Sequence, residues 1–508
     1  MSDPVRLAVF AHRLQAICDE MGARLRRAAV SPNIRDRLDF SCALFSADGE
    51  LLAQAAHIPV HLGSMAFAMR GVVARLNWRK GDLVVFNDPF EGGTHLPDVT
   101  VAMPLFIGDT RVGFAACRAH HAEIGGRAPG SMGTATRLAD EGWVIAPTHW
   151  YRAGREAKAF VEAVQAHTHV PEERLADLAA QRAAVLAAQA RVEEMDAAEF
   201  MALSEALLAV AEGYGRAAID ALPDGAYAAS DLLDDDGAGN EDLPIAACIT
   251  IEGETATVDF TGTAPAAAGP VNCPLAVTAA SVFYVFRCLM PPHTPSTGSV
   301  FRPIRIVAPE GTLVHAPRGA PVAAGNVETS QRIVDVLLKA LAQAAPERIP
   351  AAAQGTMNNI AFTGAGFSHY ETLAGGMGAH PEGPGADAIQ CHMTNTRLAS
   401  AEVLEMYAPL RVVRTEIRRG SGGAGRHRGG DGIVREWEAL APCRVAWLTE
   451  RRGHAPWGLA GGEPGAPGRN LLWRGGEWRT LPPKGEASLA PGERIRIETP
   501  GGGGWGKP

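Results

Sequence analysis

The stretch from Asn87 to Met132 constrains the fold more than any other, because it places histidines and carboxylates among glycines and prolines. That density of glycine and proline excludes one continuous helix. The stretch instead predicts two polar loops separated by apolar, strand-like sequence. The first loop, 87–98, reads Asn-Asp-Pro-Phe-Glu-Gly-Gly-Thr-His-Leu-Pro-Asp, and the second opens on two adjacent histidines.

The residue types in these loops are those that bind transition metals. Two loops joined in this way can direct His95, Asp98 and either His120 or His121 to one point. Imidazole nitrogen and carboxylate oxygen are ligands for Zn²⁺, Mn²⁺ or Fe²⁺. The alternative interpretation is that they are turn residues and hydrogen-bonding histidines, because His-x-x-Asp is a short and common pattern. Spacing alone leaves both interpretations open.

Strand signals surround the two loops. Apolar runs bounded by turn residues predict strands at 39–45, 51–54, 83–86, 99–106 and 111–117. Two of these strands deliver the histidine-bearing loops at their ends. Because loops at strand ends are where a rigid scaffold presents functional side chains, the sequence predicts one spatial cluster.

Further polar groups lie near the expected cluster. Glu123 follows the histidine pair and can act as a general base on water activated by a metal. Asp39 begins a buried strand, where a carboxylate is costly unless a metal or backbone N–H groups satisfy it. His57 and His61 share an expected loop, 57–64, and a histidine in such a loop is more often a hydrogen-bonding residue than a functional one.

We predict an α+β, multidomain fold with mixed β-sheets, a long helical section and glycine-rich loops. A chain of 508 residues exceeds one typical core, and its composition changes divide it into regions 1–222, 223–350 and 351–508. The long helical section, Pro171–Leu222, is expected to pack on the core, and a contact with a partner is the alternative. The last region alternates short strands with glycine-rich loops, and its tail, Thr499–Pro508, is expected to be disordered.

The overall charge and the cysteines restrict partners and location. A net charge of -9 and a pI near 6.0 do not favour binding to nucleic acid or to an anionic membrane. No apolar run reaches the ~18–20 residues of a membrane span, and the first residues do not resemble a signal peptide. The eight cysteines are scattered, which is typical of reduced thiols in a cytoplasmic protein.

Common nucleotide and hydrolase motifs are absent or incomplete. Residues 420–425 match G-x-G-x-x-G, but the sequence that follows does not predict the helix that a dinucleotide site requires. We expect a flexible basic loop there, in which Arg418, Arg419, Arg426 and Arg428 can meet an anion or a partner. The sequence contains no G-x-x-x-x-G-K-[ST], no H-E-x-x-H and no G-x-S-x-G.

The motifs resemble those of the hydantoinase B/5-oxoprolinase family, which includes acetone and acetophenone carboxylase subunits. The resemblance rests on segment 87–98 and on His-His-Ala-Glu-Ile-Gly-Gly and Pro-Gly-Ser-Met, which follow it. It continues through Gly-Pro-Val-Asn-Cys-Pro to the tail Glu-Thr-Pro-Gly-Gly-Gly-Gly-Trp-Gly, and so covers nearly the whole chain. One departure is Phe90-Glu91, where many members carry an aromatic residue and a histidine. The substrate stays open, because the family spans hydantoins, 5-oxoproline, lactams and ketones.

The resemblance implies a two-subunit, ATP-dependent cyclic amide hydrolase. An A-type partner would bind ATP and phosphorylate the substrate oxygen, and this chain, the B-type subunit of a hetero-oligomer, would complete hydrolysis at a divalent metal. The family's metal ligands correspond here to Asp39, His95, Asp98 and His120. Glu123 and His121 are the expected catalytic groups beside them. The alternatives are a ketone carboxylase subunit and a non-catalytic scaffold for the A-type subunit.

Overall fold

Four β-sheets organise the fold, and each takes its strands from one of the three regions of the sequence. The computed structural model describes residues 3–55 and 57–508, within which ten α-helices and twenty strands occur. This architecture confirms the predicted α+β, multidomain class with mixed sheets. Among the described helices, none combines the length and the apolar character that crossing a membrane requires.

Two of the helices lie in the predicted helical section, 171–222. The ten helices are α1 Pro4–Ala28, α2 Pro32–Arg35, α3 Val60–Arg75, α4 Leu138–Glu141, α5 Lys158–His167, α6 Pro171–Val192, α7 Ala197–Asp220, α8 Leu275–Cys288, α9 Ser330–Leu341 and α10 Ala401–Tyr407.

The strands of the first two regions form two sheets. Those of the first sheet are β1 Phe40–Ser46, β2 Leu51–Gln54, β3 Leu83–Phe86, β4 Asp98–Ile107, β5 Thr110–His120, β6 Thr148–Arg152 and β7 Arg155–Glu156, in the order β2-β1-β5-β4-β3-β6-β7. Those of the second are β8 Gly225–Asp235, β9 Glu241–Glu252, β10 Thr255–Asp259 and β11 Ile304–Val307, in chain order across the sheet.

The last region forms two further sheets. Its strands are β12 Asn359–Gly364, β13 Phe367–Thr372, β14 Leu410–Arg418, β15 Gly432–Ala439, β16 Cys443–Leu448, β17 Arg469–Arg474, β18 Glu477–Leu481, β19 Lys484–Leu489 and β20 Arg494–Glu498. The sheets have the orders β13-β12-β16-β19 and β14-β15-β20-β17-β18. Apolar packing crosses the boundaries between the three regions, because one apolar cluster contains Val60, Val277 and Tyr370. The division of the chain into domains at these boundaries stays a prediction.

Both faces of the first sheet are covered, which explains why its strands are almost continuously apolar. Successive strand residues point to opposite faces. Cys42 and Cys117 belong to a cluster that α1 and α6 share, whereas Ala43 and Ala116 pack with residues of α3. By this alternation His120 lies on the α3 face, and His121 turns towards α6.

The helical section consists of two helices, α6 and α7. Asp196 caps α7 by accepting a hydrogen bond from the backbone N–H of Glu199. In α6, Gln181 is buried and its amide donates to the carbonyls of Val99 and Cys117 in the first sheet. Helix α6 therefore packs on the core, and contact of the section with a partner stays a prediction.

Two expectations for flexible segments in the last region are wrong. The backbone from Thr499 to Gly504 is buried and hydrogen-bonded, with Gly502 N donating to Gly430 O and Gly503 N to Ala352 O. A segment with so few side chains is expected to be disordered. Here the neighbouring segments are also glycine-rich, so the backbones approach closely enough to form hydrogen bonds with one another. The basic loop is likewise held in place, because Arg428 pairs with Asp387 at 2.9 Å.

Candidate metal centre

Three of the predicted ligands meet where β4 and β5 adjoin. Asp98 and His120 are directly paired across these strands, and the turn before β4 is closed by a hydrogen bond from Asp98 N to His95 O of 3.0 Å. One ligand atom from each of the three residues lies within 4.8 Å of the others, and all three side chains are buried. The two histidine rings are 5.0 Å apart between centroids.

Several buried ring nitrogens in this group have no hydrogen-bond partner. They are both nitrogens of His95 and Nε2 of His120, and of these His95 Nε2 faces Asp98 Oδ1 at 3.3 Å. Buried polar atoms are nearly always hydrogen-bonded, and leaving them unpaired costs free energy. The residues line a small cavity of about 20 Å³, which is room for one water-sized species. The donor set and the cavity therefore fit a single divalent ion.

Charge at the centre favours the protonation states that bind metals. Burial raises the pKa of Asp98, but the neighbouring His95 and His61 outweigh this effect and hold that pKa well below its usual range. Burial, reinforced by His95, lowers the pKa of His120 well below its usual value. An ionised carboxylate and a neutral imidazole are the forms that coordinate a metal.

Asp39, the fourth predicted ligand, lines the same cavity but lies apart from the close group. Its carboxylate is not among the atoms that lie within 4.8 Å of one another. Its backbone carbonyl accepts the N–H of His120 at 3.0 Å, which joins the entrance of β1 to the end of β5. Burial raises the pKa of this carboxyl, and Arg37 opposes that shift.

Neighbouring side chains hold the three residues in position. The hydroxyl of Thr94 donates to Asp98. His61 bridges Ser41 and Asp98, with Nδ1 2.9 Å from the Ser41 hydroxyl and Nε2 3.4 Å from Asp98 Oδ2. Helix α3 begins at Val60, inside the stretch 57–64 expected to be a loop, and so His61 is a helical residue.

His120 is held from two sides by residues that sequence reasoning did not select. The Asn33 amide lies 3.3 Å from His120 Nδ1, which leaves Nε2 as the free ring nitrogen. Tyr370, from β13 in the last region, stacks on the His120 ring at 5.1 Å between centroids. The motif Pro-Gly-Ser-Met closes this side, since a Cβ on Gly130, whose φ is 59°, would lie 3.1 Å from His120 Cε1.

In the structure Glu123 and His121 bond to groups other than these ligands, and their catalytic role stays a prediction. The Glu123 carboxylate accepts backbone N–H groups from Gly125, His169 and Val170. Burial raises the pKa of Glu123, but these bonds and the charge of Arg174 outweigh it and lower that pKa below its usual value. His121 lies on the opposite face of the sheet, where its Nε2 is 2.9 Å from Gln181 Oε1. His121 follows His120 in sequence but faces the other way, because neighbouring residues of an extended chain point to opposite faces.

The chain is similar to proteins named as a 5-oxoprolinase, a hydantoinase subunit and a caprolactamase. A 5-oxoprolinase 1 of Arabidopsis thaliana is 37% identical over 536 residues, covering 100% of this chain but 42% of that protein. The putative B subunit of a D-/L-hydantoinase from Pseudomonas sp. (strain NS671) is 32% identical, covering 100% of this chain and 90% of that protein. The crystal structure of an ATP-dependent caprolactamase from Pseudomonas jessenii matches with a TM-score of 0.92 at 26% identity, covering 100% of this chain and 92% of that one.

The match to the family extends along essentially the whole chain. The hydantoinase B/oxoprolinase family profile aligns with residues 3–508. It thus includes the loops that bear His95 and His120 as well as the buried glycine-rich tail. On this evidence the predicted resemblance is confirmed, and the chain belongs to the hydantoinase B/oxoprolinase family.

Proposed function

We propose that this chain is the B-type subunit of an ATP-dependent cyclic amide hydrolase, acting on a hydantoin, 5-oxoproline or a lactam. In this proposal an A-type partner phosphorylates the substrate oxygen, and the buried centre of His95, Asp98 and His120 completes the hydrolysis. The observation that carries the proposal is the convergence of buried ring nitrogens that lack hydrogen bonds on the Asp98 carboxylate, whose pKa is held well below its usual range. The family relatives named for oxoprolinase and hydantoinase activities support the substrate class.

The chain's own residues would hold the ion and orient what surrounds it. His95, Asp98 and His120 are the proposed ligands, and Asp39 in the cavity wall is a further candidate. A divalent ion bound there would lower the pKa of water and supply hydroxide at neutral pH. Thr94 fixes the orientation of the Asp98 carboxylate. Such supporting contacts commonly change metal affinity or activity roughly 10–100-fold when removed, by the order of magnitude known for other metalloproteins.

The division of labour between two subunits is also part of the proposal. The chain spans less than half of the plant 5-oxoprolinase, and the similar Pseudomonas protein is named as one subunit of a hydantoinase. Both facts fit an arrangement in which ATP is bound by another polypeptide or by another part of a fused one. We place the complex in the cytoplasm, as the sequence predicts.

The proposal is tested by purifying the chain with and without its A-type partner. We expect the chain alone to be inactive and the complex to consume ATP with hydantoins, 5-oxoproline or lactams and release a ring-opened product. A requirement for bicarbonate with a ketone substrate would instead identify a carboxylase. Undiminished turnover by the partner alone would show that this chain is a scaffold, and ATP-driven turnover by this chain alone would contradict the proposal.

A further inference from the structure

A second, larger cavity lies next to the candidate metal centre. Its volume is about 710 Å³, which falls in the range of roughly 300–1,000 Å³ typical of small-molecule sites. Ile58 and Thr396 line both this cavity and the small one at the metal centre. We call the larger cavity the chamber, and its walls come from the first region and from the sequence around residues 388–398 and strands β14 and β15.

Two acceptor-bearing side chains in the chamber lack hydrogen-bond partners for buried atoms. These atoms are Gln390 Oε1 and Thr396 Oγ1. The amide nitrogen of Gln390 donates to the carbonyl of Thr372 at 3.2 Å, which fixes the orientation of the amide group and leaves its oxygen unpaired. Because buried acceptors are seldom left unpaired in a folded protein, a donor supplied by a ligand is the natural partner.

The chamber also combines apolar walls with one carboxylate, Glu416, which pairs with Arg414 at 2.8 Å, and with one unpaired cation. The apolar lining consists of Leu38, Ile58, Ile389, Leu398, Ile417 and Ile433. Arg397 is exposed at this lining, and its guanidinium makes no ion pair or hydrogen bond with any residue the structure describes. Its backbone N–H donates to Arg37 O at 3.0 Å, which ties this segment to the loop before Asp39. Arginine binds carboxylate and phosphate groups in a bidentate manner.

We infer that the chamber binds a small cyclic amide that carries an anionic group, with Gln390 accepting the amide N–H and Arg397 binding the anion. This inference rests on the proposed function and names a substrate site for it. The apolar side chains would enclose the ring, and the Thr396 hydroxyl stands at the junction with the metal cavity. The anion is either a carboxylate of the substrate or the phosphoryl group added to it, because both present the same geometry to a guanidinium.

Paired probes separate the two sources of the anion. Binding to the full-length chain is measured by calorimetry with 5-oxoproline, with 2-pyrrolidinone, which is the same ring without the carboxylate, and with inorganic phosphate. The variants are Arg397→Met and Gln390→Met, and the matched control is Arg479→Met, an exposed arginine outside the chamber. We expect Arg397→Met to weaken binding of at least one anion about tenfold or more and to leave 2-pyrrolidinone unaffected, while Gln390→Met weakens both lactams.

Each result has a defined meaning. Loss of 5-oxoproline binding alone assigns the anion to the substrate carboxylate, and loss of phosphate binding alone assigns it to the phosphoryl group. The inference is overturned if the unaltered chain binds neither anion, or if Arg397→Met binds both as tightly as Arg479→Met does.

Metal content and turnover of the complex distinguish a failure of this inference from a failure of the proposed function. If Arg397→Met loses anion binding while His95→Ala in the complex keeps full turnover, the chamber stands and the metal-centred mechanism fails. If His95→Ala loses metal and turnover while Arg397→Met behaves like the control, the mechanism stands and the chamber assignment fails.

Discussion

At the scale of single residues, His95 is the most informative position, because its buried Nδ1 has no hydrogen-bond partner and its Nε2 faces the Asp98 carboxylate at 3.3 Å. We expect His95→Ala to lose stoichiometric metal and to abolish ring opening, while ATP turnover by the partner persists in part. Elemental analysis of the folded protein and product assays measure the two effects. His121→Gln is the matched control, since that neighbouring histidine contacts Gln181 instead and its replacement should leave the metal in place. Normal turnover of His95→Ala without metal would contradict the mechanism.

A second residue-scale prediction concerns pH and stability away from the centre. Burial raises the pKa of Glu141 to about 8, although the N–H groups of Val322 and Ala323 donate to it. The folded state therefore keeps the proton that the unfolded state releases above its ordinary pKa near 4.5. Stability from this group is present at low pH and is lost as the pH rises towards 8. Glu141→Gln should therefore reduce the fall in unfolding free energy between about pH 5 and 8. Urea denaturation at several pH values measures this fall. An unchanged dependence of the unfolding free energy on pH would refute the prediction.

At the scale of elements, the glycine-rich tail is a structural component rather than a linker. A Cβ on Gly502 would collide with the carbonyl oxygen of Met377, so a side chain forces these backbones apart. We expect Gly502→Ala to destabilise the protein by at least ~2 kcal/mol, in the range known for overpacking. Gly213→Ala is the control, because an added Cβ there meets nothing within 4 Å in helix α7 and should be neutral or stabilise by up to ~1 kcal/mol. Equal melting temperatures of the two variants would disprove the packing role.

Helix α7 is the part of the helical section where a partner contact is still expected. It exposes Met201 and Val210, and α1 exposes Val5 and Val9, whose exposed fractions are 69% and 62%. We predict that amide hydrogen exchange in α7 slows when the A-type partner binds, whereas exchange in the core-packed α6 does not change. Val210→Asp should weaken the complex about tenfold, the effect of losing ~1.4 kcal/mol of binding free energy. Unchanged exchange in both helices would rule out this surface.

At the scale of the whole molecule, buried charges join the second region to the last. Arg451 bonds to Asp231 at 2.7 Å and also pairs with Asp335, and these side chains are largely withdrawn from solvent. Arg451→Met would leave Asp335 without its arginine and Asp231 with only Arg332, at 3.4 Å, which should cost roughly 3–5 kcal/mol in unfolding free energy. Arg444→Met removes an exposed pair with Glu486 and should cost at most ~1 kcal/mol. The unfolding free energies of the two variants are compared by guanidinium denaturation. Similar losses of unfolding free energy in both variants would contradict a special role for the buried network.

Local sequence signals by themselves determined the strands and loops that carry the candidate centre. Strands β2 and β3 have the predicted bounds, because short apolar runs between turn residues have few other ways to be buried. His95 and His120 could be selected because metal-binding residue types stood close together in loops that follow strands. The strand entrance marked Asp39 as a carboxylate in need of a partner, the family resemblance named it as a ligand, and it lines the cavity.

Only the tertiary structure decided which neighbouring groups complete the centre. Tyr370 stacks on His120 from a strand far away in the chain, and Thr396 links the two cavities. No local pattern reports such contacts, because they depend on how separate sheets pack. Conversely, Glu123 is adjacent to the histidines in sequence but bonds to the backbone just before α6. Sequence proximity predicts the residue types at a site, whereas the alternation of strand faces and the packing of distant segments decide which side chains meet.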